Sequence, residues 1–268
     1  MTAPGVVVVK VGGEVLESEG TRRNVLAQVA EAAAGGWRVV VVHGGGRAVD
    51  EMASRVGLTP STVEGLRVTD EPMLEIVVNV LAGWVNTSLV AEAVASGVRA
   101  VGLTGADGGW CRVDAVSGNG NGNGHLGFVG VPAEDGDASL IEHLLDAGFV
   151  PFVASVAAGS DGQLYNVNAD HMAAAVARLL RADVLLFVSG PPGVMDDRGE
   201  LLRELSFERL RRLRNDGVAW GGMLPKLDAC QQAVDAGVGR VMIVGAAFPA
   251  ALSAALNGGD GVGTRVTQ

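Results

Sequence analysis

Val6-Val7-Val8-Val9-Lys10-Val11-Gly12-Gly13 decides the fold: a run of strand-forming side chains, almost all valine, stopped by two glycines. An uninterrupted apolar run, with no in–out alternation, is what a strand buried on both faces requires. Residues 20–35 follow with Val25, Leu26, Val29 and Ala33 on one helical face, closed by Gly35-Gly36. Arg38–Val42 repeats the buried strand and ends at His43-Gly44-Gly45-Gly46, after which Ala48–Val56 reads as a helix stopped by Gly57. Two such strand–helix units predict an α/β chain with a parallel sheet and helices on both faces.

Further along, residues 72–96 read as a long helix and Val98–Leu103 as a strand. A glycine-rich stretch runs from Gly105 to Gly130, with a solvated turn expected at residues 117–124. A short helix at 139–147, a strand at Phe149–Ala154 and a hairpin turn at Asp161-Gly162 come next. A helix is expected from Asn168 or Ala169 to Arg181, then a strand at Val184–Val188 and a loop at Gly190-Pro191-Pro192-Gly193. Helices at Ser206–Arg214 and Leu224–Ala236, a strand at Arg240–Val244 and a helix at Ala247–Leu256 complete the pattern, without internal repeats.

Composition sets the outer limits. The 268 residues carry 20 Lys plus Arg against 30 Asp plus Glu, a net charge of −10, with 48% hydrophobic residues. This is ample material for a packed core, and the charge argues against nucleic acid or an anionic membrane as partner. Cys111 and Cys230 form no CxxC pair, so a reducing, cytoplasmic compartment is expected. The start of the chain shows no signal peptide, and no stretch reads as the roughly 20 apolar residues of a membrane span.

Eighteen of the 20 cations are Arg; the only lysines are Lys10 and Lys226. A compact point charge kept at two places, where a planar fork serves everywhere else, suggests a task that Arg cannot perform. Lys10 precedes Gly12-Gly13. Lys226 closes Trp220-Gly-Gly-Met-Leu-Pro-Lys226, at another glycine pair and a helix start. Glycine turns at strand ends let the backbone approach an anion and aim N–H groups at it. Gly12, Gly13, Gly44, Gly45 and Gly46 are therefore candidates for anion binding. Tyr165-Asn-Val-Asn-Ala-Asp170 sets two amides and a carboxylate at a strand–helix junction; Asn168 reads equally as a helix cap, and Asp170 as a dipole partner or an acceptor for two ammonium groups. Arg67 precedes a Thr69-Asp70 cap and is suited to grip a carboxylate. Arg209, Arg211, Arg212 and Arg214 read as a solvated helix face.

Five short motifs come in a fixed order: Val9-Lys10-Val11-Gly12-Gly13, Val42-His43-Gly44-Gly45-Gly46, Gly65-Leu-Arg-Val-Thr-Asp70, Asn166-Val-Asn-Ala-Asp170 and Gly221-Gly-Met-Leu-Pro-Lys226. In this the chain resembles the amino acid kinase family from end to end, finishing at Gly261-Val-Gly-Thr-Arg265, and within it the branch that acts on N-acetyl-L-glutamate. The resemblance implies a three-layer αβα sandwich around a mainly parallel sheet of about eight strands. Residues 1–180 would form the acyl-amino-acid-binding and dimerisation lobe, and residues 181–268 the nucleotide-binding lobe. It implies Lys10 and Lys226 as charge stabilisers at a transferring phosphoryl group, Asp170 as the carboxylate holding both, and Gly44, Gly45, Arg67 and Asn166 as substrate contacts. Gly12, Gly13, Gly46, Ser189, Gly190, Gly193, Val194, Val218 and Trp220 would serve phosphate or nucleotide, with Asp196 just beyond. ATP with Mg²⁺ is the implied co-substrate, and no dedicated metal cage is expected. His43 is placed to shape the glycine turn; His125, His143 and His171 show no metal-ligand spacing.

The family's acidic position in the loop after Val184–Val188 is Gly190 here, which bears on nucleotide binding. The first strand begins almost at Met1, so a homodimer through residues 72–96, without arginine feedback, is expected. Two other readings stay open: a kinase for carrier-protein-linked α-aminoadipate or glutamate, and a non-catalytic amino-acid or nucleotide sensor.

Overall fold

The valine run becomes the middle of an eight-stranded sheet in the computed structural model, which describes residues 5–116, 126–196, 198–215, 223–247, 250–258 and 262–268. In spatial order the strands are Glu204–Ser206, Thr264–Thr267, Arg240–Gly245, Val184–Ser189, Val6–Val11, Arg38–His43, Val150–Ala154 and Ala100–Thr104. Every pair is parallel except Arg240–Gly245 with Thr264–Thr267. The expected sandwich is formed, with helices on both faces.

Alternation along the strands sorts side chains into two cores. Val8, Val42, Leu185 and Phe187 meet the helices Ala169–Leu179 and Met223–Asp235 on one face. Val9, Val41 and Leu186 meet Glu19–Ala34 and Asn86–Ala95 on the other. Each fully buried valine contributes about 1.5–3 kcal/mol against exposure, so a one-residue slip of these strands is prohibitive. Lys10 lies in register with Val42 and Phe187, which sends its side chain to the first face. His43 lies beside Val11 and turns to the second.

The chain leaves Val6–Val11 to build one half of the sheet and returns at Val184–Ser189 to build the other. Such a reversal opens a crevice beyond the carboxyl ends of the central strands. Both glycine turns open there.

Several elements differ from expectation. A helix at Gly13–Glu17 precedes Glu19–Ala34, and the helix expected from Ala48 begins at Gly46. The last helix is Ala251–Leu256, starting later than Ala247. A second sheet joins Val113–Ala115, Val129–Pro132, Leu164–Val167 and Val156–Ala158, and a small hairpin joins Thr62–Val63 to Leu66–Arg67. Strands of two to four residues carry too little pattern to be read. The Asp161-Gly162 turn connects an antiparallel pair, with Gly162 at φ +83°. The turn expected at residues 117–124 lies outside the described residues.

The long helix spans Glu71–Ala95, and its middle, Asn79–Val85, is a π-helix. By length and mean hydropathy it is apolar enough to cross a membrane, which corrects the expectation that no stretch is. Its inward face is packed into the fold through Met73, Val77, Leu81, Leu89 and Ala93. Its apolar character thus serves the core, while Trp84 and Val94 point outward.

Candidate active site

Lys10 is carried to the crevice by a strand buried along its whole length, and its side chain is only 9% exposed. Asp170 arrives from the first turn of Ala169–Leu179. Asn168 caps that helix, its Oδ1 accepting from the N–H groups of Asp170 at 2.8 Å and His171 at 3.3 Å. The even choice at Asn168 is thereby decided for the cap. Lys10 Nζ stands 2.8 Å from Asp170 Oδ1, both side chains nearly out of water.

Burial pulls the Lys10 ammonium below its ordinary pKa, and Asp170 counters part of that shift. For Asp170, burial pushes the carboxyl up, but the charges of Lys10 and Lys226 outweigh it and hold the group below its ordinary value. The Lys226 ammonium thus acts on both members of the pair, lowering Lys10 as well. Two lysines 216 positions apart in sequence, on Val6–Val11 and Met223–Asp235, share one carboxylate's surroundings.

A cavity of about 220 Å³ opens beside them. Lys10, Asp170 and the turn Gly44–Gly46 line it together with Gly13, Arg67 and Asn166. The helix Gly46–Arg55 starts at the cavity with Gly45 as its cap, so unpaired N–H groups and the positive end of the helix dipole face the space. Gly45 has φ +158°, and a Cβ there would meet Leu81 Cδ2 at 2.9 Å.

Arg67 is held by two acceptors. One Nη pairs with Asp50 and the other donates to the Gly46 carbonyl at 3.0 Å. Asn166 donates to Thr69 Oγ1 at 3.0 Å, and Thr69 Oγ1 donates to the Arg67 carbonyl at 2.8 Å. A guanidinium and a carboxamide are thereby fixed in the same cavity as the Lys10 ammonium. The guanidinium and carboxamide suit a carboxylate with an acyl amide, and the ammonium with the glycine N–H groups suits a phosphate.

Residues 5–245 match the amino acid kinase family. The chain belongs to that family. An acetylglutamate kinase of Methanopyrus kandleri is 43% identical over 243 residues, covering 88% of this chain and 93% of that one. An acetylglutamate kinase of Koribacter versatilis is 41% identical over 248 residues, covering 92% of each. Among solved structures, smu.665 of Streptococcus mutans UA159 superposes with a TM-score of 0.83 at 26% identity, over 98% of both chains.

The remaining family positions are not gathered into the same cavity. Lys226, Gly12, Ser189, Gly190, Gly193 and Val194 lie outside its lining, Lys226 reaching the site through its charge on Lys10 and Asp170. Gly12 donates to the Val188 carbonyl at 3.1 Å, joining its turn to the strand Val184–Ser189. Val194 is buried in the core and its N–H donates to Thr264 Oγ1, so neither group is open to a ligand as it stands. A Cβ at Gly190 would lie 2.1 Å from Glu14 Oε2: a carboxylate from the first glycine turn covers the position where the family carries its acid. Asp196 caps its own turn, accepting from the N–H groups of Arg198 and Glu200. Val218 and Trp220 lie outside the described residues.

Sequence reasoning passed over Asn86 and Asp50. Asn86 is a buried amide on the inward face of an apolar helix, and that polar interruption was its one signal. Asp50 follows Arg47 on an exposed helix face and reads as surface until the Arg67 loop folds onto it.

Proposed function

We propose that the chain transfers the γ-phosphoryl group of ATP to the side-chain carboxylate of N-acetyl-L-glutamate, giving N-acetyl-L-glutamyl 5-phosphate and ADP, in arginine biosynthesis. The observation that carries this reading is the Lys10–Asp170 pair beside the Gly44–Gly46 turn, with the charge of Lys226 acting on both partners. The attacking carboxylate, with an ordinary pKa of about 4.3, is already ionised at neutral pH, so no general base is required. One carboxylate oxygen bonds to the γ-phosphorus while the bond to the β–γ bridging oxygen breaks and ADP departs. Charge spread over the transferring group is met by the two ammonium groups and the glycine N–H donors.

In this reading Arg67 and Asn166 hold the α-carboxylate and acetyl end. Gly13, Gly44, Gly45 and Gly46 face the phosphate, and the loop at residues 189–194 with Gly12 serves the nucleotide. Residues 1–180 then serve the acyl amino acid and residues 181–268 the nucleotide. Magnesium enters on the triphosphate. Among the described residues no three His, Cys, Asp or Glu side chains group around a metal position, and phosphate-bound Mg²⁺ requires no such cage. Two buried, free cysteines suit the cytoplasm. Trp84, 75% exposed on the long helix with Val94 further along, suits the contact face of a homodimer.

Hydroxylamine trapping of the acyl phosphate tests the reaction. ATP with N-acetyl-L-glutamate should give hydroxamate, and carrier-linked α-aminoadipate should give none. ATP binding without hydroxamate from any N-acyl amino acid would favour a sensor.

A further inference from the structure

We propose that His43 is a positioning residue: held by Asn86, its imidazole pins the Gly44 carbonyl on one side of the sheet and thereby aims the Gly45 N–H toward the cavity lined by Lys10 on the other. The inference deepens the phosphoryl-transfer reading above and rests on it.

His43 is completely buried, with Nδ1 2.9 Å from the Gly44 carbonyl oxygen and Nε2 2.9 Å from Asn86 Nδ2. The partners fix its protonation. A carbonyl only accepts, so Nδ1 carries the hydrogen; an amide nitrogen only donates, so Nε2 is bare. The Asn86 orientation is set independently, because Nδ2 also lies 2.8 Å from the Phe152 carbonyl, which needs a donor. One amide NH₂ thus serves two acceptors, and the imidazole is neutral with a defined tautomer. Its surroundings agree: burial pulls its pKa down to about 4, outweighing the Gly44 bond that raises it.

The consequence for the turn follows from peptide geometry. In a trans peptide the carbonyl of Gly44 and the N–H of Gly45 point in opposite directions within one plane. The His43 side chain lies on the sheet face opposite that of Lys10, as the register of the two strands requires. Drawing the Gly44 oxygen toward the imidazole therefore presents the Gly45 hydrogen on the Lys10 side. A donor fixed where negative charge develops acts without reorganisation at the moment of reaction.

The second restraint on this peptide comes from the same helix as Asn86. Leu81 and Val85, in the π-helical segment, close on Gly45 so tightly that a Cβ would lie 2.9 Å and 3.4 Å from them. Asn86 is the next residue after that segment. The widened turn lets one helix press Gly45 with its apolar side chains and grip His43 with its amide. π-Helical turns are rare and often accompany functional positions.

Two variants separate this role from simple packing. In His43→Asn the amide nitrogen takes the place of the Nδ1 donor; in His43→Gln the amide oxygen takes the place of the Nε2 acceptor and the Gly44 bond is lost. The expected result is that H43N keeps kcat within a few-fold of the parent, while H43Q loses about 10²-fold in kcat with KM for N-acetyl-L-glutamate nearly unchanged. Equal losses in both variants, or a change confined to KM, would overturn the proposal. If either variant fails to fold, the parent protein still decides. Long-range ¹H–¹⁵N spectra of ¹⁵N-histidine-labelled protein should show one histidine locked as the Nδ1–H tautomer from pH 5.5 to 8. A set in which every histidine titrates near 6.5 or holds its proton on Nε2 refutes it. A parent enzyme that makes no acyl phosphate would remove the kinase reading, a result separate from the tautomer.

Discussion

The ammonium of Lys10 and the carboxylate of Asp170 meet at 2.8 Å in a region almost closed to water, and Lys226 acts on both. A buried pair of this kind adds little net stability, because desolvation offsets the attraction, yet breaking it is costly. Its arrangement makes sense as the floor of an anion site. Asp170 neutralises one of two lysines, so one positive charge remains for an incoming phosphoryl group.

Asp170→Asn should therefore damage both folding and catalysis. Lys10 would be left buried without its counter-charge, and the unfolding free energy should fall by about 3–5 kcal/mol. Adding Lys10→Met to that variant should restore much of the stability but none of the activity. Urea denaturation of the single and double variants checks this; a double variant no more stable than D170N would argue against a charge-based cost.

Replacing either lysine with arginine keeps the charge and changes its shape. Lys10→Arg and Lys226→Arg should each lower kcat by about 10²-fold or more, since a planar fork cannot take the place of a compact ammonium on a crowded floor. Near-ultraviolet circular dichroism should be unchanged. Near-parental rates for both would contradict the assigned roles.

Arg67 is held by Asp50 and the Gly46 carbonyl, and its proposed role is to bind the substrate carboxylate. Arg67→Lys should raise KM for N-acetyl-L-glutamate about tenfold or more, the cost of a lost bidentate contact of ~1.5–3 kcal/mol, with kcat less affected. Steady-state kinetics at saturating ATP measures the split. A fall in kcat alone would move Arg67 from the carboxylate to the phosphate.

His43 predicts a pH dependence of stability. Its pKa is about 4 in the folded chain, against 6.5 ordinarily. Between those values the unfolded chain takes up a proton that the folded chain refuses. The contribution is fully present above pH 6.5, declines as pH falls toward 4, and changes no further below. It amounts to ~3 kcal/mol. The difference in unfolding free energy between parent and His43→Asn should narrow by about that amount from pH 7 to pH 4; a constant difference would contradict it.

Trp84 supplies a prediction about assembly. Trp84→Glu should convert a dimer to monomers in sedimentation velocity while leaving the far-ultraviolet spectrum intact. A parent protein that sediments as a monomer would refute the interface.

Six of the eight strands of the main sheet were legible as continuous apolar runs, the look of a buried parallel strand, while the short strands Glu204–Ser206 and Thr264–Thr267 at one edge carry no such run and were not read. The two lysines stood out for an equally local reason: Arg fills every other cationic position. What could not be read depends on contacts distant in sequence. Thr62–Val63 and Leu66–Arg67 are too short for a period, and only the folded loop brings Arg67 to Asp50, on a helix that looks merely solvated. The π-helical segment leaves no trace in an apolar stretch, because a one-residue widening preserves hydrophobicity while rotating Asn86 toward His43. Glu14 over Gly190 is similarly invisible, since the two lie on different strand ends.

The claim beneath all of these is that Lys10 and Lys226 both face the terminal phosphate of ATP. An acyl phosphate of ATP delivers its acyl group to amines at that position, and this chain has only two lysines to receive it. Mass spectrometry should find both Lys10 and Lys226 acylated, with excess ATP suppressing both. Labelling of one lysine alone, or labelling that ATP does not suppress, would contradict it.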